Sequence, residues 1–261
     1  FTSHKKVFVL GSSAVDNYYS NLIHFLPRLF FNTENNLKIG IHRSLSNKFR
    51  DFISNLNKQR NISFSFIYLD DNFYKFEDSY IPEFFNLNKS IEVINHFIKP
   101  QISNQKHKKI YITREDSNYR KLINEFDIMP ILQKNGYTII NPRLYSIEEQ
   151  INIFANAEHI VGTHGSNLSN IIFCKEGTNV CEICPELIDL NEINLRDRYK
   201  NICDLKKLNH KRIIADVVDV DVHSKLTLKF IDKKFLNKSN YYKNLILKLD
   251  DLKKIWLITV T

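Results

Sequence analysis

Val161-Gly162-Thr163-His164-Gly165-Ser166-Asn167-Leu168-Ser169-Asn170 runs from a β-branched strand end, through two glycines, into a stretch of helical character. Open parallel sheets hold ligands at the carboxyl ends of their strands, where helix N-termini aim N–H groups at anions. Gly162 and Gly165 permit close backbone approach, and Ser166 and Asn167 can cap the following helix. His164 stands where it can meet a phosphate or a reacting hydroxyl. The same residues also suit an ordinary βα turn with a surface histidine.

Working outward, strands alternate with helices on both sides of this junction. Ile110–Thr113, Tyr137–Ile140, His159–Gly162 and Asn179–Ile183 read as strands. Tyr119–Leu132, Ile147–Ala157 and Ser166–Phe173 read as helices. Ser146, three residues before Glu149, matches a capping box opening the second of these. Upstream, the strands Lys6–Leu10, Leu37–Ile41 and Ile62–Leu69 are interleaved with helical periodicity at Tyr18–Leu29, Lys48–Asn57 and Glu92–Ile98. Such alternation implies parallel βαβ units in both halves. The expected fold class is α/β, with two Rossmann-like domains whose parallel sheets face each other across a cleft. The polar segment Gln101–Lys108 reads as the linker, giving an N-terminal domain over 1–100, a C-terminal domain over 101–223 and a basic helical tail over 224–261.

The charge is unevenly placed. The 261 residues carry a formal net charge of +8, and nine Lys against three Asp between Lys225 and Lys254 supply most of it. A nucleic-acid reader would spread Arg and Lys over its folded face, so that class is set aside. Four Cys are too few for a disulfide framework and suit a reducing compartment. No apolar run approaches the roughly 18 residues needed to span a bilayer. Opening on Phe rather than Met leaves room for a missing N-terminus and any targeting segment in it. The expectation is a cytoplasmic protein that can touch the inner face of the membrane through its tail. There, Tyr242, Leu245, Ile246, Leu249, Leu252 and Trp256 recur at helical spacing. That helix either closes on the folded body or adsorbs to an anionic membrane.

Arg114 follows the strand Ile110–Thr113 on the same sheet edge as His164 and offers a planar fork matched to phosphate oxygens. Its ordinary alternative is a surface ion pair with Glu115 or Asp116. Read together, Ile112-Thr113-Arg114, Arg120-Lys121-Leu122-Ile123-Asn124-Glu125, Ser146–Ile151, Phe154-Ala155-Asn156-Ala157, the His164 junction and Glu182 resemble glycosyltransferase family 61 over roughly 75 residues. That family includes bacterial capsular-polysaccharide transferases, plant xylan-decorating transferases and animal O-linked N-acetylglucosaminyltransferases. Asn17-Tyr18-Tyr19 and Leu26-Pro27-Arg28-Leu29 resemble a further family helix. Departures occur at Ser20, Asn21 and His24, which stand for the usual His, aromatic and acidic residues, and at Thr163 and Asn167.

The resemblance implies an inverting transferase of GT-B architecture that uses a nucleotide-sugar, with a UDP-linked donor expected, and a glycan or lipid-linked polysaccharide-precursor acceptor. The donor diphosphate would lie on the helix opening at Ser166, clamped by Arg114, with no metal needed. Glu182 would accept from the ribose hydroxyls, and Ser146 would donate near the nucleotide. Arg120, Glu125, Gly165, Asn167 and Leu168 complete the expected binding set. Asp16, His24 and His164 are the candidates for accepting the acceptor's proton. The alternative is a decayed relative that binds glycan or nucleotide without turnover.

Two metal patterns are set aside. Asp219-Val220-Asp221 spells the common D-x-D tripeptide, and Cys181 and Cys184 would point to opposite faces of one strand.

Overall fold

Continuous apolar, β-branched runs need both faces covered, and parallel strands with helices packed on them satisfy that requirement. The computed structural model describes residues 2–4, 6–10, 17–31, 36–70, 72–102, 108–117, 119–187, 193–218 and 240–255. It is a mixed α/β structure with parallel sheets, dividing into two units: Phe1–Pro100 with Ser146–Glu149, and Gln101–Tyr145 with Gln150–Thr261.

In the first unit, strands β1 (Thr2–His4), β2 (Val7–Val9), β3 (Leu37–His42), β4 (Phe64–Leu69), β5 (Tyr74–Phe76) and β6 (Ser79–Tyr80) form two sheets. The larger has the order β4-β3-β2-β6 and is parallel throughout, while β1 pairs with β5. Helices α1 (Leu26–Leu29), α2 (Asn47–Gln59) and α3 (Leu87–Phe97) pack here. α2 is capped by Ser46, whose hydroxyl accepts from the Phe49 N–H, and it buries Phe49, Phe52, Ile53 and Leu56. A π-helical turn, Ser20–Phe25, precedes α1. Such turns insert one extra residue and recur at functional sites. This one falls on the stretch where Ser20, Asn21 and His24 depart from the family pattern.

The second unit holds β7 (Lys109–Ile112), β8 (Thr138–Ile140), β9 (His159–Thr163), β10 (Asn179–Pro185), β11 (Asn209–Val218) and β12 (Asn244–Ile246). Their order is β12-β11-β10-β9-β7-β8, and only β12 runs antiparallel. Its helices are α4 (Glu125–Lys134), α5 (Ile147–Asn156, whose first residues group with the first unit), α6 (Ile193–Arg196) and α7 (Arg198–Lys206). The capping box forms as expected. The Ser146 N–H donates to Glu149 Oε2 at 2.7 Å, and the Glu149 N–H donates to Ser146 Oγ at 3.2 Å. Ser146→Ala is expected to cost about 1 kcal/mol in urea unfolding, the usual worth of such a cap.

Three local expectations are corrected. Residues 119–124 are not helical: Arg120 has φ 54°, Leu122 bridges Leu245, and the Leu245 N–H donates to the Lys121 carbonyl at 2.7 Å. Pairing with a distant segment outcompetes helical propensity there. The tail over 240–255 is likewise no helix. It is a turn, the strand β12 and a 3-10 segment at Leu249–Lys254. Leu245, Leu247, Leu252 and Ile255 are buried in the second unit's core beside Tyr111, Val161 and Ile183. Each such burial stabilises by about 2 kcal/mol, so these side chains pack inward. Ser166–Phe173 is helical, but as a 3-10 segment.

Gly11, Asp16, the bulk of the linker, Asp219-Val220-Asp221 and Trp256 lie outside the described residues. Among the described residues no helix is long and apolar enough to cross a membrane.

Candidate functional site

Register assembles the site. In the parallel ladder Ile112 pairs with Gly162, Gly162 with Glu182, and Glu182 with Arg212. Side chains two residues apart share a face. Arg114, His164, Glu182, Arg212 and His210 therefore come to one face of the sheet, across four strands and the loops that leave two of them. Gly162 contributes no side chain, and a Cβ there would meet Ile112 Cβ at 3.2 Å and Leu168 Cδ2 at 3.3 Å.

His164 is 1% exposed and Glu182 is 0% exposed. The two are hydrogen-bonded between Nδ1 and Oε1. The other Glu182 oxygen faces His210 Nε2 at 2.9 Å and accepts from Arg212 at 3.4 Å. Burial alone would push the Glu182 carboxyl up, but His164, His210 and Arg212 outweigh it and hold the group well below the usual carboxylate range. An ionised Glu182 assigns the proton of a neutral His164 to Nδ1, which leaves Nε2 as an acceptor. Burial lowers the His164 pKa against the pull of Glu182, and Arg120 and Arg198 lower it further. His164 Nε2 has no hydrogen-bond partner among the described residues. Tyr199 and Tyr241 enclose the imidazole edge-on, at 4.8 and 5.6 Å between centroids.

Beside it lie two guanidiniums. Arg114 is 9% exposed and Arg120 is 4% exposed, and among the described residues no carboxylate pairs with either. Arg114 donates to the Tyr119 carbonyl at 3.3 Å, and Arg120 to the Tyr241 carbonyl at 3.0 Å. Arg120 also lies over the Tyr241 ring at 4.0 Å and the Tyr119 ring at 4.6 Å. Both Nε groups and Thr163 Oγ1 are without a hydrogen-bond partner among the described residues. Burial first, then Arg120, pulls the Arg114 pKa down to about 10. Two adjacent, nine-tenths-buried cations without a counter-charge are costly unless an anion joins them.

Gly165 holds this arrangement open. An alanine Cβ there would lie 1.9 Å from Arg114 Nη1 and 2.7 Å from Cζ. Its φ of 174° is extended, so the glycine is needed for space alone. Gly165→Ala is expected to displace the Arg114 head and weaken binding of an anionic ligand about tenfold by calorimetry. In an Arg114→Met background its steric cost to stability should disappear.

The remaining expected residues fall elsewhere. Glu125 is buried and accepts from Tyr111 Oη at 2.7 Å and Thr113 Oγ1 at 2.9 Å, tying α4 to the opposite face of β7. Its neighbour Asn124 clamps the tail: its Nδ2 donates to the Leu247 carbonyl at 2.8 Å, and its Oδ1 accepts the Leu247 N–H at 3.2 Å. No side chain caps the 3-10 segment after Gly165, which corrects the capping role expected of Ser166 and Asn167 and leaves its first turn uncapped. Leu168 is buried against Gly162. Ser146 groups with the first unit, as does His24, whose ring is edge-on to Tyr19 at 5.4 Å. The four cysteines are buried and free, and among the described residues no cluster of three or more His, Cys, Asp or Glu is placed to hold a metal. Sequence reading missed Tyr199, Tyr241, His210 and Arg212. Only the last two carried a signal, an alternating run that brings His210 and Arg212 to one strand face.

The sheet is open and mostly parallel, with a buried cationic cluster at its carboxyl edge, the place where α/β proteins of this architecture bind their ligands. The sequence model for the family glycosyltransferase 61 matches residues 14–181, more than half of the chain. The chain belongs to that family, and the family's general activity is glycosyl transfer. No curated protein matches it.

Proposed function

We propose that the Arg114–Arg120–His164 cluster binds the diphosphate of a nucleotide-sugar, with a uridine nucleotide the expected donor, and that the sugar passes with inversion to a glycan or lipid-linked precursor. The observation that carries this reading is the pair of buried, uncompensated guanidiniums beside an unpartnered imidazole nitrogen. Oriented cations in a water-poor site stabilise charge that develops on a leaving group. In this reading they supply what a divalent metal supplies in other transferases, and two Rossmann-like domains facing across a cleft present donor and acceptor.

His164 stands among the cations, so its role falls on the leaving-phosphate side. Glu182, enclosed and already hydrogen-bonded, is a positioning residue for His164 in place of a ribose ligand. Asp16 and His24 then remain for the acceptor hydroxyl. Ser146 Oγ accepts one bond and keeps its proton for the nucleotide. The lysine-rich tail is proposed to meet anionic lipid through its charges, and no nucleic acid is involved.

Calorimetry with uridine, UDP and other nucleoside diphosphates, with EDTA or Mg²⁺, tests the reading. Diphosphates should bind independently of metal and at least tenfold more tightly than the nucleoside. Equal affinity for uridine and UDP would sink it. Diphosphate binding without sugar transfer would identify the decayed relative.

A further inference from the structure

Arg28, in α1, is 1% exposed, the largest of the fully buried side chains. Its Nε and Nη1 have no hydrogen-bond partner among the described residues. Among the described residues it pairs with no carboxylate, and burial lowers its pKa. A structural arginine at a helix end normally donates to the last carbonyls. Here Arg60 does so, giving Nη1 to the Leu29 carbonyl at 3.3 Å and Nη2 to the Phe30 carbonyl at 3.2 Å. Arg28 has no such task.

One ring lies directly over the guanidinium. Phe84 lies 4.4 Å from the guanidinium carbon and is 53% exposed, on the irregular segment 81–86 between β6 and α3. The same ring meets His24 edge-on at 6.5 Å. His24 and Arg28, four residues apart, share one side of the helix. A ring face attracts a cation, but weakly compared with the loss of hydration and hydrogen bonds on burial. Part of what lies over the charge is therefore a half-exposed ring, tilted against Phe25 at 6.0 Å, and side-chain rotation at an exposed position takes pico- to nanoseconds.

We infer that the first unit carries an anion-binding subsite of its own, in which Arg28, beneath Phe84 and beside His24, takes the carboxylate or phosphate of an acidic sugar. An Arg fork receives either group through two parallel N–H bonds. Assigning this anion to the acceptor rests on the proposed function, whereas binding at Arg28 does not.

The test uses the full chain and the arginine reagent phenylglyoxal, with labelling at Arg28 read by peptide mass spectrometry. Glucuronate, glucose 6-phosphate and glucose are the probes. Phe84→Ala should speed labelling of Arg28 about tenfold by removing the cover, and an acidic sugar should slow it again by a similar factor while glucose does not. Protection by glucuronate marks a carboxylate site, and by glucose 6-phosphate a phosphate site. Arg28→Gln should then lower affinity for the protecting acidic sugar about tenfold and leave UDP affinity unchanged. Unchanged Arg28 labelling with both acidic sugars overturns the subsite, even where UDP binds. Protection at Arg28 without UDP binding would leave the subsite standing and count against the donor reading alone.

Discussion

Arg114→Met is expected to abolish diphosphate binding and to raise the melting temperature. A hydrogen bond to a charged group is worth about 1.5–3 kcal/mol, and an Arg fork makes two. Their loss corresponds to about a hundredfold to ten-thousandfold in affinity. Without ligand, the same guanidinium is 9% exposed, is repelled by Arg120 and keeps one 3.3 Å bond to the Tyr119 carbonyl. Replacing a buried charge by an apolar chain of similar length is neutral to stabilising by about 1–4 kcal/mol. Relief of repulsion should outweigh one long hydrogen bond worth about 1 kcal/mol. Differential scanning fluorimetry beside calorimetry separates the two effects. A marked fall in melting temperature would show that Arg114 is structural, and the anion site would lose its main support.

The second large effect is at Glu182. Among the described residues its carboxylate is the only counter-charge for His164 and His210, and it shares Arg212 with Asp197, whose Oδ1 lies 3.2 Å from Arg212 Nη1. Glu182→Gln should cost about 3–5 kcal/mol, the usual penalty for breaking a buried pair. The sign of its pH dependence follows from the depressed native pKa. The carboxylate stabilises the fold above its ordinary value of 4.5, and that contribution is lost as pH falls below it. The wild-type advantage over the variant should therefore shrink below about pH 4.5, by at most about 1.4 kcal/mol per pH unit. Urea titrations at several pH values would show it. A constant gap from pH 7 to pH 3 would mean that folding does not depress the Glu182 pKa, and a gap that widens as pH falls would mean that the carboxyl is protonated in the native state. The amide would also release His164 from its Nδ1–H form, so turnover should fall further than nucleotide affinity.

Arg120 shows why part of the site escapes sequence reading. In isolation, residues 119–124 have helical spacing, yet Arg120 takes a left-handed conformation that costs about 1–2 kcal/mol. It is held there by bonds from Arg120, Lys121 and Ile123 to residues 241–245. The ring beneath its guanidinium, Tyr241, comes from a tail whose periodicity suggests a membrane-facing or closing helix. Spacing records which side chains share a face; it does not record which segment, over a hundred residues away, offers a better partner.

By itself the sequence determined what depends on neighbours along the chain. The alternation of strands and helices, the Ser146–Glu149 box, the glycine junction at 162–165 and the placing of Arg114 and His164 at one sheet edge are all local, because two-residue and 3.6-residue periods and glycine's missing Cβ act within a few positions. Only the tertiary structure decided that Glu182 faces His164, that Arg114 fills the space over Gly165, that the tail becomes a strand walling the site with Tyr241, and that Arg28 is buried with no carboxylate among the described residues. Each of these depends on strand register or on desolvation, which arise only once distant segments have excluded water together.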